Sequence, residues 1–287
     1  MITKTELDKL VEKYETVDFI KDDPIQFIHR GRGKCKEDAE LLGFISSLFA
    51  YGNRKMFIKK LEEIFVKADG DITGFIKNGD FSSLKGVEYR FSKENDIIPI
   101  FEILSELYNE SKGLEELFKY GYGLSPLQEG TTCEQRAEGE AVPVYCEQVK
   151  TGQGWGPVKD IKPMLKIVVD YFYARAPKTV GQGFYHMIPN PDNGGAMKRM
   201  NMFLRWMVRK PPVDLGIWEF IKPKDLLIPL DVHVARVSRQ MGLLKRKSND
   251  FRAVLELMKP LREFCPEDPV KYDFAMFAFG IESSNKK

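Results

Sequence analysis

Apolar residues recur at helical spacing along most of the chain. Leu41, Leu42, Ile45, Leu48 and Phe49 follow an i, i+3, i+4, i+7, i+8 pattern, and Phe57, Leu61, Ile64 and Phe65 continue it in a second segment. The same period predicts helices over 97–108, 164–173, 200–207, 232–244, 251–261 and 270–279. Punctuating residues fall between these stretches, at Gly70, Gly79, Gly113, Pro177, Pro211-Pro212, Pro229 and Pro266. No alternation of apolar and polar positions persists beyond about five residues, so no strand is expected. The pattern predicts an all-α protein.

One stretch breaks the rhythm. Residues 121–156 hold seven glycines and two prolines with little periodicity. It reads as a surface excursion between two helices, with a short hairpin around Val142-Pro143-Val144-Tyr145. Loops of this length are uncommon unless functional or mobile, so a lid is the alternative reading.

Composition bounds the class. With 287 residues and 43% hydrophobic positions, the chain can build one large or two modest cores and is too apolar for disorder. No run of roughly 18 apolar residues exists, the stretch 274–281 being too short to span a bilayer, so no membrane partner is expected. The start, MITKTELDKLVEKYE, is charged and amphipathic and does not read as a secretory signal. Cys35, Cys133, Cys146 and Cys265 are scattered without a CxxC or histidines at ligand spacing. A disulfide framework and a metal site are not expected, although a Cys133–Cys146 pairing stays open. These features point to a reducing cytoplasm.

Charge needs its distribution as well as its total. The formal balance of +2, from 44 Lys and Arg against 42 Asp and Glu, taken alone argues against a nucleic-acid partner. Yet residues 194–252 carry thirteen basic and five acidic side chains, a surplus of +8, which leaves −6 for the rest. A basic segment of this kind is an electrostatic footprint for nucleic acid.

That segment contains two candidate sites. The first runs Pro189-Asn190-Pro191-Asp192-Asn193-Gly194-Gly195-Ala196-Met197-Lys198-Arg199 and leads into the apolar helix 200–208. Glycines at a helix start let backbone amides approach an anion, and the helix dipole adds partial positive charge there. Lys198 and Arg199 sit in the first turn, where the dipole disfavours cations unless an anion is present. A plain glycine-rich turn is the equal alternative. The second segment is Pro229-Leu230-Asp231-Val232-His233-Val234-Ala235-Arg236-Val237-Ser238-Arg239, in which Asp231 is a good N-cap by itself. It places Val234, Val237 and Met241 on one helix face and His233 and Arg236 on another.

Taken in order, these motifs resemble the helix-hairpin-helix DNA glycosylase superfamily, which includes endonuclease III and the 8-oxoguanine glycosylases. The segment Phe44-Ile45-Ser46-Ser47-Leu48-Phe49-Ala50-Tyr51-Gly52-Asn53 is also similar to the family's entry into its DNA-facing barrel loop. The likeness covers roughly 38–68 and 178–282 and is closer to an uncharacterised bacterial branch than to an enzyme of known substrate. It implies two helical domains with an interdomain cleft: a central barrel over 38–199 ending in the hairpin, and a second domain from 1–37 plus 200–287. It also implies catalytic roles for Lys198, as the Schiff-base lysine, and for Asp231, with Gly194 as the first hairpin glycine. Gly195, Arg199, Arg236, Arg239, Tyr51 and Asn53 become DNA contacts, while His233 and Phe277 become pocket residues.

Trp206 and Trp218 are aromatic candidates for stacking, although Trp206 lies inside an apolar helix and fits core better, and the apolar run around Phe277 and Phe279 favours core over a pocket wall. Two departures stand out: Ala196 replaces the family's second hairpin glycine, and 33 residues separate Lys198 from Asp231, nearer the archaeal 8-oxoguanine glycosylase pattern. No four-cysteine motif is present, so no iron–sulfur centre or other cofactor is expected.

The implied activity is excision of an oxidised purine or related lesion from duplex DNA by a monomeric glycosylase with AP lyase activity. A base must leave the stack before its glycosidic bond can be cut. A carboxylate near the sugar stabilises the positive charge that develops there, and a neutral amine attacks to form a Schiff base. The alternatives are a non-catalytic DNA- or RNA-binding protein on the same fold and a helical protein whose hairpin is only a turn.

Overall fold

The computed structural model describes residues 2–31, 35–110, 113–123 and 161–285. The expected hairpin at 142–145, Cys133 and Cys146 lie outside the described residues. Among the described residues there are thirteen α-helices and no strand, only the isolated bridges Tyr89–Ser92 and Gly195–Asp250. The protein is all-α, as its periodicity requires. In chain order the helices are α1 (Lys4–Tyr14), α2 (Ile25–Arg30), α3 (Lys36–Phe49), α4 (Arg54–Val66), α5 (Ile72–Asn78), α6 (Glu94–Asn109) and α7 (Gly113–Gly121). They continue as α8 (Ile161–Arg175), α9 (Gln182–Met187), α10 (Lys198–Val208), α11 (Val232–Gln240), α12 (Phe251–Phe264) and α13 (Tyr272–Asn285).

Local chemistry sets several of these boundaries. Thr3 and Glu6 form a reciprocal capping box at the start of α1. Asp231 and Asp250 accept hydrogen bonds from Val234 N and Ala253 N, which satisfies otherwise unpaired amides of α11 and α12. The apolar period predicted a helix to residue 244, but α11 ends at Gln240. The chain turns through Gly242 at φ +75°, and the amides of Leu243 and Leu244 both reach back to Ser238 O. Those two leucines are buried without being helical, so the period outlasted the helix. At the other boundary, Val270 belongs to a 3-10 turn opened by Pro269, and α13 starts only at Tyr272.

Helix α3 is the centre of the molecule. Every residue from Asp38 to Phe49 is buried, and the helix contacts α2, α5, α7 and α10. Gly43 permits the close approach of α10: a Cβ there would lie 3.0 Å from Met207 Cε and 3.3 Å from Phe203. Beside it Phe44 stacks on Phe172 of α8 at 5.5 Å and meets Phe203 of α10 edge-on at 5.3 Å. Removing one such buried ring costs about 3–5 kcal/mol in typical cores. Helix α6 packs against α5, α7, α8 and α9, while α13 packs on α1 and α11 and brings the start of the chain onto its end. Ile2 N reinforces that closure through Met241 O at 3.0 Å. Among the described residues no helix is long and apolar enough to cross a membrane.

Candidate DNA-facing cavity and its flanking turn

A local hydrogen bond and a left-handed glycine build the turn before α10. Asn190 Oδ1 accepts from Asp192 N at 2.9 Å, residues Pro191–Asn193 make one 3-10 turn, and Gly194 closes it at φ +74°. A side chain at that φ is strained, so backbone conformation alone calls for glycine. Space does not: a Cβ on Gly194 or Gly195 would meet nothing within 4 Å. Both glycines therefore present an open face, which neighbouring protein does not fill. Behind them, Phe251 N donates to Gly194 O at 2.9 Å, which ties the turn to the start of α12. Ala196 does not adopt a positive φ, so its replacement of glycine introduces no strain at that position. The left-handed residue is Met197, at φ +52°, immediately before the helix.

Helix α10 then points its first two side chains differently. Lys198 is half-buried and its Nζ donates to Ala50 O at 3.3 Å, at the end of α3. Arg199 is 8% exposed and hydrogen-bonds the carbonyls of Leu48 and His186. Its guanidinium is thus consumed inside the protein, and burial lowers its pKa to about 10. This corrects the expectation of a phosphate contact at Arg199. Arg236 bonds Gly280 O, and Arg239 holds the carbonyls of Arg246 and Lys247 together with Asn249 Oδ1. Arg236 is fastened to α13 and Arg239 to the loop after its own helix, and neither lines the cavity described next.

Lys198 and Asp231 meet at a cavity of about 560 Å³. It lies among the α3–α4 corner, α10, the start of α11 and α13, and its size is ordinary for a small-ligand site. Tyr51, Asn53, His233 and Phe277 line it as well, so six residues singled out from the sequence converge on one space. Asp231 Oδ1 caps α11 through Val234 N at 2.8 Å, so its structural role and its place at the cavity coexist. Asn53 caps α4 through Met56 N. Tyr51 donates to or accepts from Ser92 Oγ at 3.0 Å, and its ring lies 4.7 Å from His186 and 5.9 Å from Phe91. His233 packs edge-on against Phe277 at 5.8 Å, and its buried Nδ1 has no hydrogen-bond partner among the described residues. Trp206 is buried yet borders the cavity, whereas Trp218 is a core residue whose indole donates to Glu40 at 2.9 Å.

The cavity also contains Asp23, Arg54, Arg205 and Asp273, which periodicity did not flag. Arg205 Nη2 pairs with Asp214 at 3.0 Å and its Nη1 with Asp273. Arg209 extends the network to Asp214 at 2.7 Å, Glu15 at 2.6 Å and Asp268 at 2.9 Å. Burial alone would lower the Arg205 guanidinium, but Asp214 and Asp273 hold it above its ordinary value. Burial pushes Asp273 up to about 7, with Arg205 opposing and Asp231 adding to the rise. Part of the +8 surplus is therefore internal. Arg199, Arg205 and Arg209 face the protein interior, while Lys210, Lys222, Lys224, Lys245, Lys247 and Arg252 remain exposed. A signal for Asp273 did exist, as an acid inside the apolar run of α13, but Asp23 looked like an ordinary residue before a proline.

No curated protein and no solved structure matches the chain at a significant level. A family model described as a protein of unknown function, DUF2400, matches residues 23–282, and the chain belongs to that family.

Proposed function

We propose that the protein is a base-excision DNA glycosylase with AP lyase activity, acting on an oxidised purine or related lesion in duplex DNA. The observation that carries this reading is the convergence of Lys198 and Asp231, from separate helix starts, on one cavity beside a turn whose glycines are open. A phosphate-binding turn alone requires neither residue there. On this reading 38–199 is the barrel and 1–37 with 200–287 the second domain; the packing of α1 on α13 supports the second grouping.

The chemistry follows from the positions. A flipped nucleotide fills the cavity while the open turn meets its backbone phosphate at Gly195, the Gly194 amide being spent on Pro191 O. Asp231 faces the sugar and stabilises the charge that develops as the glycosidic bond breaks. The neutral amine of Lys198 adds to C1′, and the resulting Schiff base promotes β-elimination of the strand.

Borohydride trapping tests this. Duplexes carrying abasic sites or oxidised purines give a covalent complex with the unaltered protein. Lys198→Gln abolishes it, and Asp231→Asn slows it while keeping the helix cap, because Asn caps as well as Asp. No complex with any of these duplexes overturns the proposal. Salt-sensitive duplex binding that survives Lys198→Gln, without any trapped product, assigns the protein to the binding-only class instead.

A further inference from the structure

Three carboxyl groups line the cavity, and only one of them has been given a task. Asp231 caps α11 and faces the sugar in the reading above. Asp273 has its Oδ2 in a buried ion pair with Arg205, which also draws on Asp214. Asp23 is different.

Asp23 sits in the turn that leads into α2 and is 8% exposed. Its Oδ1 accepts from Ile25 N at 3.1 Å, and its own amide donates to Ile20 O at 3.0 Å, so the turn fixes where the carboxyl stands. Among the described residues no Lys, Arg or His forms an ion pair with it. Lys198, Arg54 and Arg205 act on it only at longer range. A carboxyl that is taken out of water, without a paired cation, keeps its proton in preference to its charge. Burial does raise the Asp23 carboxyl, against the pull of the Ile25 amide and of Arg205, Lys198 and Arg54. A protonated carboxyl at the wall of a cavity is a hydrogen-bond donor available to whatever fills it.

We propose that Asp23 is the general acid that protonates the departing base. This inference rests on the glycosylase reading of the same cavity. The C1′–N bond breaks with its electron pair passing to the base, and the Asp23 carboxyl proton goes with that pair. The base leaves neutral, Asp23 is left as a carboxylate, and the cation at C1′ faces Asp231 and the Lys198 amine. Solvent returns the proton to Asp23 after the product leaves. The need for such a donor assigns the substrate to bases that leave poorly as anions, which purines with a protonatable ring nitrogen satisfy.

An abasic site has no base to protonate, and this separates Asp23 from the rest of the machinery. The test compares an 8-oxoguanine duplex with the same duplex carrying an abasic site, under single-turnover conditions. Asp23→Asn is expected to slow base release about 100-fold, the low end for loss of a general acid. Trapping on the abasic duplex should stay within about threefold, which also reports that the variant is folded. Equal base release by Asp23→Asn and the unaltered protein overturns the assignment.

If Asp23→Asn loses both reactions, the pH dependence of the unaltered protein decides. The ratio of base release to abasic trapping must fall as pH rises, because Lys198, Arg54, Arg205, Asp231 and Asp273 bear on both reactions and Asp23 on the first alone. A ratio independent of pH overturns the assignment. Absence of abasic trapping in the unaltered protein instead removes the glycosylase–lyase reading on which it rests.

Discussion

His186 shows how strongly a neighbourhood redefines a side chain. Its ring lies edge-on to both Phe91 at 4.6 Å and Tyr51 at 4.7 Å, beside the cavity wall. Desolvation among these rings lowers its imidazole to about 4, with Arg199 and Arg90 adding to the effect, although the residue keeps an exposed side. The ring is therefore neutral at pH 7 and contributes no charge toward a phosphate. Because the folded value lies below the ordinary 6.5, the neutral ring stabilises the fold above pH 6.5, and this contribution is lost as pH falls from 6.5 through 4. An NMR titration, assigned with His186→Gln, should place the midpoint near 4, and Arg90→Ala should raise it. A midpoint near 6.5 would contradict the desolvation of the ring against Phe91 and Tyr51.

At the scale of elements, the turn between α9 and α10 separates conformational need from packing need. Gly194 is left-handed but faces open space, whereas Gly183 of α9 lies where a Cβ would come within 2.7 Å of Ser92 Cα. Gly194→Ala should therefore keep the fold at a cost of about 1–2 kcal/mol, the usual penalty of a left-handed side-chain residue. Denaturant midpoints measure this cost. On the proposed reading duplex affinity should fall by more than the stability loss accounts for, because the new methyl occupies the open face assigned to a phosphate. Unchanged affinity would remove the turn from the DNA interface. Helix α11 makes the complementary point: one residue, Asp231, both starts the helix and borders the cavity, so cap and candidate catalyst share a position.

For the whole molecule, the Arg205 and Arg209 network joins parts of the chain that are far apart in sequence. It connects Glu15 after α1, Arg205 of α10, Arg209 just past its end, Asp214 in the following loop, Asp268, and Asp273 of α13. Cutting it at Arg205 strands Asp273 in the interior and leaves Asp214 to Arg209 alone. Arg205→Met should cost about 3–5 kcal/mol, the usual range for a broken buried pair. An exposed change such as Lys222→Ala should stay within about 0.5 kcal/mol. Equilibrium unfolding compares the two, and equal stability would show that the network does not hold the cavity's wall.

Sequence alone determined the helical class, because a 3.6-residue apolar period is a local property that each segment carries independently. It also determined the turn at Gly194 and the cap at Asp231, since both are set by the conformational preferences of a few adjacent residues. Tertiary structure decided which charges are available. Arg199 and Arg205 look like surface cations in the sequence, yet one is spent on backbone carbonyls and the other on buried carboxylates. Only the fold could place Asp23 against Lys198's cavity, since 175 residues separate them along the chain. Periodicity reports which face of a helix avoids water; it carries no information about which partners meet across the interior, and long-range electrostatics depends on those partners.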